Sequence, residues 1–377
     1  KTKITGLDVS DIPTATGKSD YLDTVERPEI VEPYVIPPKP TVDVWLMEDT
    51  ANYAFYATVD ANGIIRSTVT IKNVSVGGVE ILDETYHIAN FNGTSKESYC
   101  LAEKYTEATN KCSILYQPIC DATDGNSCFA RSLNNDDEIV WTLGGNATSM
   151  APGFYFFEGN VVVLDSGISA SVVATLDIET GGQMNLKAIN YSTYAEVCEN
   201  TIVPGVYPIN YCSSDTSELI PDIKGNVVIG AGGTNPASRT DVDLDGVYSG
   251  GNVKLLGSTT LYGTVLAGNR LSSYAGVTIY GYVIALDLKA EDSLDEEDNI
   301  TNGSLTIILD LCREHDENDA ACNGNSAPDD YDPTLLPSDN NLCAEDPEKN
   351  KDACENLKDI EVIKGGGEGS ILWTRYL

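Results

Sequence analysis

The sequence predicts a mainly β chain: a β-solenoid (β-helix) body with an extended N-terminal arm and disulfide-crosslinked loops. Three observations predict it. A short line of residues repeats between Asp241 and Leu288, Gly-Asn pairs stand directly before β-branched runs upstream, and ten cysteines sit in loop-like sequence. The repeat reads Val242-Asp-Leu-Asp-Gly246-Val-Tyr248, then Thr259-Thr-Leu-Tyr-Gly263-Thr-Val265, then Val277-Thr-Ile-Tyr-Gly281-Tyr-Val283, with glycines 263 − 246 = 17 and 281 − 263 = 18 residues apart. A fixed short period with matched residue types marks a repeat architecture. Side chains alternate along a strand, so like residues of successive coils stack at roughly 4.8 Å. Inward columns then collect Leu244, Leu261 and Ile279, and Tyr248, Val265 and Val283. Outward columns collect Asp243, Thr260 and Thr278, and Asp245, Tyr262 and Tyr280.

Residues 1–41 form an arm. Ile4, Leu7, Val9 and Ile12 are scattered among polar residues, and Pro28, Pro33, Pro37, Pro38 and Pro40 make an extended spacer. Residues 42–138 are β-rich, with strand-type runs at Val42-Asp-Val-Trp-Leu, Tyr53 to Val59, Ile64 to Ile71 and Val79 to Leu82. Asp60-Ala-Asn-Gly63 reads as a hairpin turn, and the runs serve as first coils or as a sheet that caps them. Residues 95–138 read as a loop-like, Cys-rich excursion pinned by disulfides.

Residues 139–310 carry the solenoid, with upstream coils at Phe154 to Val163 and Ile223 to Ile229 and one more buried strand at Ser304 to Asp310. Residues 311–377 are an acidic, Cys-rich appendage. It ends in a Gly hinge and the apolar strand Ser370 to Leu377, containing Ile371, Leu372 and Trp373. The solenoid presents two open ends, and open strand edges must be capped or paired. Ile4, Leu7, Val9, Ile12, Ile371, Leu372 and Trp373 are therefore the candidate assembly residues, supplying a strand to an adjacent copy.

The stretch Gly153-Phe-Tyr-Phe-Phe-Glu-Gly-Asn-Val-Val-Val, followed by Leu261-Tyr-Gly-Thr-Val-Leu-Ala-Gly and Ile279-Tyr-Gly-Tyr-Val-Ile-Ala, resembles the β-helical ectodomain of bacterial surface proteins. Type IV pilus-associated (PilX-like) proteins are the nearer likeness, and bactofilin-type solenoids the more distant one. The resemblance covers roughly residues 140–290. It implies a structural role at the cell surface, although the chain lacks the apolar N-terminal helix that anchors pilins.

Charge and cysteines narrow the setting. With 23 basic and 58 acidic residues the net charge is −35, which excludes a nucleic-acid surface and argues against anionic lipid. A solvated acidic face is the expected meaning. Cys100 and Cys112, Cys120 and Cys128, Cys198 and Cys212, Cys312 and Cys322, and Cys343 and Cys354 are sequence neighbours. An even count in loops reads as an oxidised framework, and neighbour pairing is the preferred connectivity. Cys312, His315 and Cys322 form the one Cys/His cluster, short of the four close ligands that zinc takes. No stretch reaches the ~18 apolar residues of a membrane span, and no signal peptide opens the chain at Lys1. A mature, exported, extracellular or cell-surface protein is the expectation. Sequons at Asn73, Asn92, Asn146, Asn190, Asn299 and Asn302 are compatible with surface glycosylation, and several arise by chance in a chain rich in Asn, Ser and Thr.

Candidate chemistry is sparse. Asp241-Val-Asp-Leu-Asp-Gly246 matches the opening half of a calcium loop, with Asp241, Asp243 and Asp245 as oxygen ligands, but its closing position is Asn252 rather than Glu. Gly246 also fits the repeat without an ion, so an acidic outward strand is the preferred reading over calcium, and no other cofactor is expected. His87 and His315 lack a nucleophile partner motif. Asp243, Asp245 and Arg270 could be assembled into a polysaccharide lyase or hydrolase, and Tyr262, Tyr280, Tyr274 and Tyr282 into a glycan-stacking face. Tyr ladders also simply stabilise neighbouring strands. The expected function is a structural subunit of a surface fibre or pilus-associated assembly. Its partner is a second copy or another fibre subunit, and no catalytic residue is assigned. The alternatives are a carbohydrate-active β-helix enzyme and a monomeric glycan-binding adhesin.

Overall fold

Antiparallel hairpins at one end of the molecule give way to long parallel ladders. The computed structural model describes residues 42–94, 96–120, 129–144, 150–164, 168–199, 203–213, 215–234, 248–286, 300–301 and 304–308. All of them belong to one compact unit, Pro40–Leu377. The fold is mainly β.

The antiparallel part comes first. Strands β1 (Tyr53–Val59), β2 (Ile65–Val76), β3 (Val79–Phe91) and β4 (Glu97–Cys100) form a meander, and β5 (Tyr105–Thr106) with β6 (Lys111–Cys112) adds a short hairpin to β3. The β1–β2 turn forms where Asp60 accepts from the Asn62 and Ile64 amides, which fits the local turn chemistry of Asp. Strand β7 (Phe129–Leu133) pairs antiparallel with β8 (Ile139–Leu143). Four short strands, β4 to β7, thus fall within residues 95–138, which otherwise keep the loop-like character that the sequence suggested among the described residues.

The parallel part follows in β9 (Gly153–Phe157), β10 (Asn160–Val163), β11 (Ile168–Ala174), β12 (Ile178–Thr180) and β13 (Met184–Lys187). After an insertion that holds β14 (Val206–Pro208) comes β15 (Val227–Ala231). The short pair β16 (Gly233–Thr234) and β17 (Tyr248–Ser249) precedes β18 (Val253–Leu255), β19 (Thr259–Tyr262), β20 (Thr264–Ala267), β21 (Leu271–Ser273), β22 (Val277–Tyr280), β23 (Val283–Ala285), β24 (Ile300–Thr301) and β25 (Leu305–Ile308). Apart from β14, which pairs antiparallel with β2, and the antiparallel pair β16–β17, these strands stack in three parallel ladders. The first runs β1-β9-β11-β15-β20-β23. The second runs β8-β10-β12-β18-β21-β24, and the third β11-β13-β19-β22-β25.

Alternation explains what fills the space between the ladders. In the third, Ile168, Leu186, Leu261, Ile279 and Ile307 stand in register. In the first, Tyr155, Val172, Ile229, Val265 and Val283 do so, beside a column of Phe157, Ala174, Ala231, Ala267 and Ala285. These residues belong to, or pack against, one apolar core. Aromatic side chains plug it where the ladders meet the hairpins: Phe55 stacks on Phe157 at 4.6 Å, and Trp141 and Phe129 pack around them. The first ladder is also covered on its outer side. Val44, Met47, Val197 and Tyr211 pack against Phe154, Phe156, Val173 and Leu266.

Four local expectations change. Val42 to Leu46 reads as strand from its β-branched and aromatic residues, yet Val44–Thr50 is a 3-10 helix. Asp43 caps it by accepting from the Trp45 amide, and Val44 and Met47 are buried against the first ladder. Tyr248 does not share a column with Val265. It pairs with Thr234 in the small antiparallel sheet, and Ile229 takes the place beside Val265. Strand β25 is half-buried or exposed along its length rather than buried. The first ladder does not end at β1 but continues into the antiparallel β1–β2–β3 meander, while β7 is the end strand of the second ladder among the described residues.

Candidate functional site: outward faces and ladder corners

The outward face of the third ladder carries two ordered columns. Asn185, Thr260, Thr278 and Thr306 form one, and Lys187, Tyr262, Tyr280 and Ile308 the other. Tyr262 and Tyr280 stack with ring centroids 4.8 Å apart and planes within 7°. That separation is the strand spacing itself, so each ring spends a face on its neighbour. A sugar needs a free π-face, and the stack therefore favours mutual stabilisation of adjacent strands over a glycan platform. Tyr274 is more exposed, and the Lys254 ammonium lies 5.7 Å from its ring centroid while pairing with Glu179 at 2.9 Å.

A third ordered column runs along a corner of the second ladder. The Asp177 amide donates to Asn160 Oδ1, the Asn252 amide and Nδ2 both donate to the Asp177 carboxylate at 2.9 Å, and Asn269 Nδ2 donates to Asn252 Oδ1 at 2.8 Å. Each strand of the ladder thus passes its turn's hydrogen bonds to the next, which pairs the polar groups of a largely half-buried corner. Sequence reasoning missed this column. Its signal was present: 177 − 160 = 17 and 269 − 252 = 17, with Gly-Asn at Gly159-Asn160, Gly251-Asn252 and Gly268-Asn269.

Buried charge lies elsewhere. Glu97 on β4 is 1% exposed and pairs with Arg131 of β7 at 2.6 Å, with the Tyr99 hydroxyl donating to it at 3.3 Å. Burial raises its carboxyl above the usual range, against the opposing pull of Arg131 and Tyr99. Near the 3-10 helix the Tyr56 hydroxyl donates to Glu48. Burial and the neighbouring Glu48 raise the Glu158 carboxyl. His87 stacks on Tyr105 at 3.9 Å with planes within 4°, and burial holds its imidazole below the ordinary value against a small opposing effect of Glu107. It faces an aromatic ring rather than a nucleophile.

The cysteines are oxidised where they can be followed. Cys100–Cys112 and Cys198–Cys212 are disulfides, and Cys120 is also disulfide-bonded. Cys128, Cys312, Cys322, Cys343, Cys354 and His315 lie outside the described residues. So do the calcium candidates Asp241, Asp243 and Asp245, and the assembly candidates Ile4, Leu7, Val9, Ile12, Ile371, Leu372 and Trp373. Arg270 is half-buried, and its backbone is bonded to Gly251 and Val253. Among the described residues no group of three or more His, Cys, Asp or Glu side chains could hold a metal ion, and no helix is long and apolar enough to cross a membrane. Comparison with known proteins finds no matching family model, no matching curated protein and no matching solved structure.

Proposed function

We propose that the chain is a β-solenoid acting as an exported structural subunit of a cell-surface assembly, a fibre or a pilus-associated complex. The reading is supported by the order in which strands visit the ladders. Residues 160–174, 178–231, 253–267 and 271–285 each pass through the second, third and first ladder in that order. A chain that keeps this order winds as a solenoid whose coils contact only their neighbours. Disulfides favour an oxidising compartment, outside the cytosol.

The observation that carries the assembly reading is the contrast between the two ladder ends. One end continues into antiparallel hairpins and carries an aromatic plug. At the other, the inward column passes from Leu261 and Ile279, fully buried, to Ile307, which is only half-buried. Apolar column residues at a strand edge suit an added strand, in which backbone hydrogen bonds give affinity and side-chain pockets give register. Such a strand, contributed by a terminal segment of a second copy, joins subunits through the β25 end of the ladders. The test is electron microscopy of native material alongside a chain lacking residues 1–40 and 370–377. Polymers from the full chain and folded monomers from the truncated one support the proposal. Normal fibres from the truncated chain refute exchange through the termini. Sugar release from polysaccharides, or retention on glycans without turnover, moves the function to an enzyme or an adhesin.

A further inference from the structure

We propose that Asn92 is an N-glycosylation site, carrying an oligosaccharide on its side-chain amide. The inference rests on the exported reading above, because the sugar donor belongs to the exporting membrane. Asn92-Gly93-Thr94 is a complete sequon and forms the tip of the hairpin between β3 and β4. Asn92 and Gly93 both have positive φ, at 42° and 79°, and the Thr94 amide donates to the Phe91 carbonyl at 2.8 Å. Two consecutive residues of that kind make the tight turn that Asn-Gly favours. All three sequon residues are exposed. The Asn92 amide and the hydroxyl-bearing residue that a transferase must read are therefore presented together on a projecting turn.

The other described sequons differ in the features that matter. Asn73 is exposed in β2 with a positive φ of 53°, but Ser75 of its sequon is 2% exposed. Asn190 is half-buried, and its Nδ2 already donates to the Asp222 carbonyl at 2.7 Å and to Asn226 Oδ1 at 2.8 Å. Both amide hydrogens are spent within the fold. Asn92 thus stands apart among the described sequons.

The transfer balances without any further reagent. The donor is an oligosaccharide joined through its anomeric carbon to a lipid diphosphate, and a membrane transferase supplies catalysis. The bond from Asn92 Nδ2 to the anomeric carbon forms, and the bond from that carbon to the diphosphate oxygen breaks. Nδ2 loses one proton, and the lipid diphosphate leaves with the bonding electron pair. No oxidation or reduction occurs.

The test is peptide mass mapping of the full chain isolated from the surface of cells that export it, with Thr94→Val and Thr94→Ser variants. Both variants keep Asn92-Gly93 and the Thr94 amide; Thr94→Val also loses the hydroxyl bond to the Phe91 carbonyl at 2.7 Å, whereas Thr94→Ser keeps both a hydroxyl and the sequon. The expected result is a glycan mass on the Asn92 peptide of the native chain and of Thr94→Ser, lost in Thr94→Val, with Asn190 bare throughout. An exported, disulfide-bonded chain whose Asn92 is bare, or only deamidated, overturns the site and leaves the surface reading intact. Modification at Asn190 overturns the argument from presentation in the fold. A chain recovered with reduced cysteines from the cytosol overturns the exported reading and this inference with it.

Discussion

Gly281 lies directly on Gly263: a methyl group added to Gly281 would run into the Gly263 carbonyl. The two glycines occupy matching positions between paired strands of the third and first ladders. Tyr262 pairs with Tyr280 before it and Val265 with Val283 after it, and the Gly263 amide donates to the Tyr280 carbonyl at 2.8 Å. Their φ values, 133° and 145°, lie where only glycine is comfortable. Each position therefore has no room for a side chain and no backbone conformation that tolerates one.

Gly281→Ala and Gly263→Val are expected to destabilise the fold by about 2–4 kcal/mol, combining overpacking with backbone strain. Gly276→Ala is the control, because a methyl group there meets only Ser304 Oγ at 3.5 Å. It should be neutral or slightly stabilising. Thermal melting of the three variants decides the matter. An unchanged melting temperature for Gly281→Ala would show that the glycines do not stack as described.

Asp177 is the one charged member of the corner column, and it accepts two hydrogen bonds from Asn252. Hydrogen bonds to a charged group contribute more than neutral ones. Asp177→Ala should cost about 2–3 kcal/mol, since it also leaves the Asn252 donors without their acceptor. Asn269→Ala removes only the bond to Asn252 Oδ1 and should cost about 1 kcal/mol. Chemical denaturation of both variants gives the ranking. Equal losses would contradict a column that runs through Asp177.

The stacking of β19 on β22 was legible because Thr-Thr-Leu-Tyr-Gly and Val-Thr-Ile-Tyr-Gly share both alternation and period. The strand on the other side of β19 was not. Its partner β13 lies 259 − 184 = 75 residues earlier, beyond two insertions that erase the period. Of the line Val242 to Tyr248 only Tyr248 lies among the described residues, and it pairs outside the three ladders and sends its hydroxyl to the Val42 carbonyl. The strand propensity of Val42 to Leu46 was overridden by the Asp43 cap and by burial of Val44 and Met47. Buried Glu97 carried no local signal at all, since its partner Arg131 arrives from a different hairpin. Among the function-bearing expectations, the sequon at Asn92 was readable as a motif, but only the turn separates it from Asn190.

The insertion between β13 and β15 should depend on its disulfide. Cys198 and Cys212 are separated by 14 residues, and closing a loop of about 15 residues is worth about 3 kcal/mol. The segment also buries Val197 and Tyr211 over the outer side of the first ladder. A Cys198→Ser/Cys212→Ser variant is expected to lose about 2–4 kcal/mol, read from the oxidised and variant melting curves. Alkylation without reductant should label neither Cys100, Cys112, Cys120, Cys198 nor Cys212 of the native chain. Labelling at any of these sites would show that the framework is incomplete.

The last prediction concerns the pair Glu97 and Arg131, whose pH dependence has a definite sign. The carboxyl of Glu97 is raised in the folded chain, chiefly by burial. The folded state therefore holds its proton to higher pH than the unfolded state does. Stability from this group is full below the ordinary carboxylate value and falls as pH rises through the window up to the raised one. Glu97→Gln cannot ionise, so its stability should not decline across that window, and the difference from the native chain should shrink or reverse as pH increases. Arg131→Met does the opposite. It removes the guanidinium 2.6 Å from the carboxylate and leaves an ionised Glu97 buried without a counter-charge, a change that costs about 3–5 kcal/mol. Because the carboxyl can escape that cost by keeping its proton, the loss should be largest near neutral pH and smaller in acid. Denaturation of the native chain and both variants, across pH 4 to 8, separates the cases. Parallel curves for all three chains would mean that Glu97 titrates alike in the folded and unfolded states, and that the pair governs no part of the stability profile.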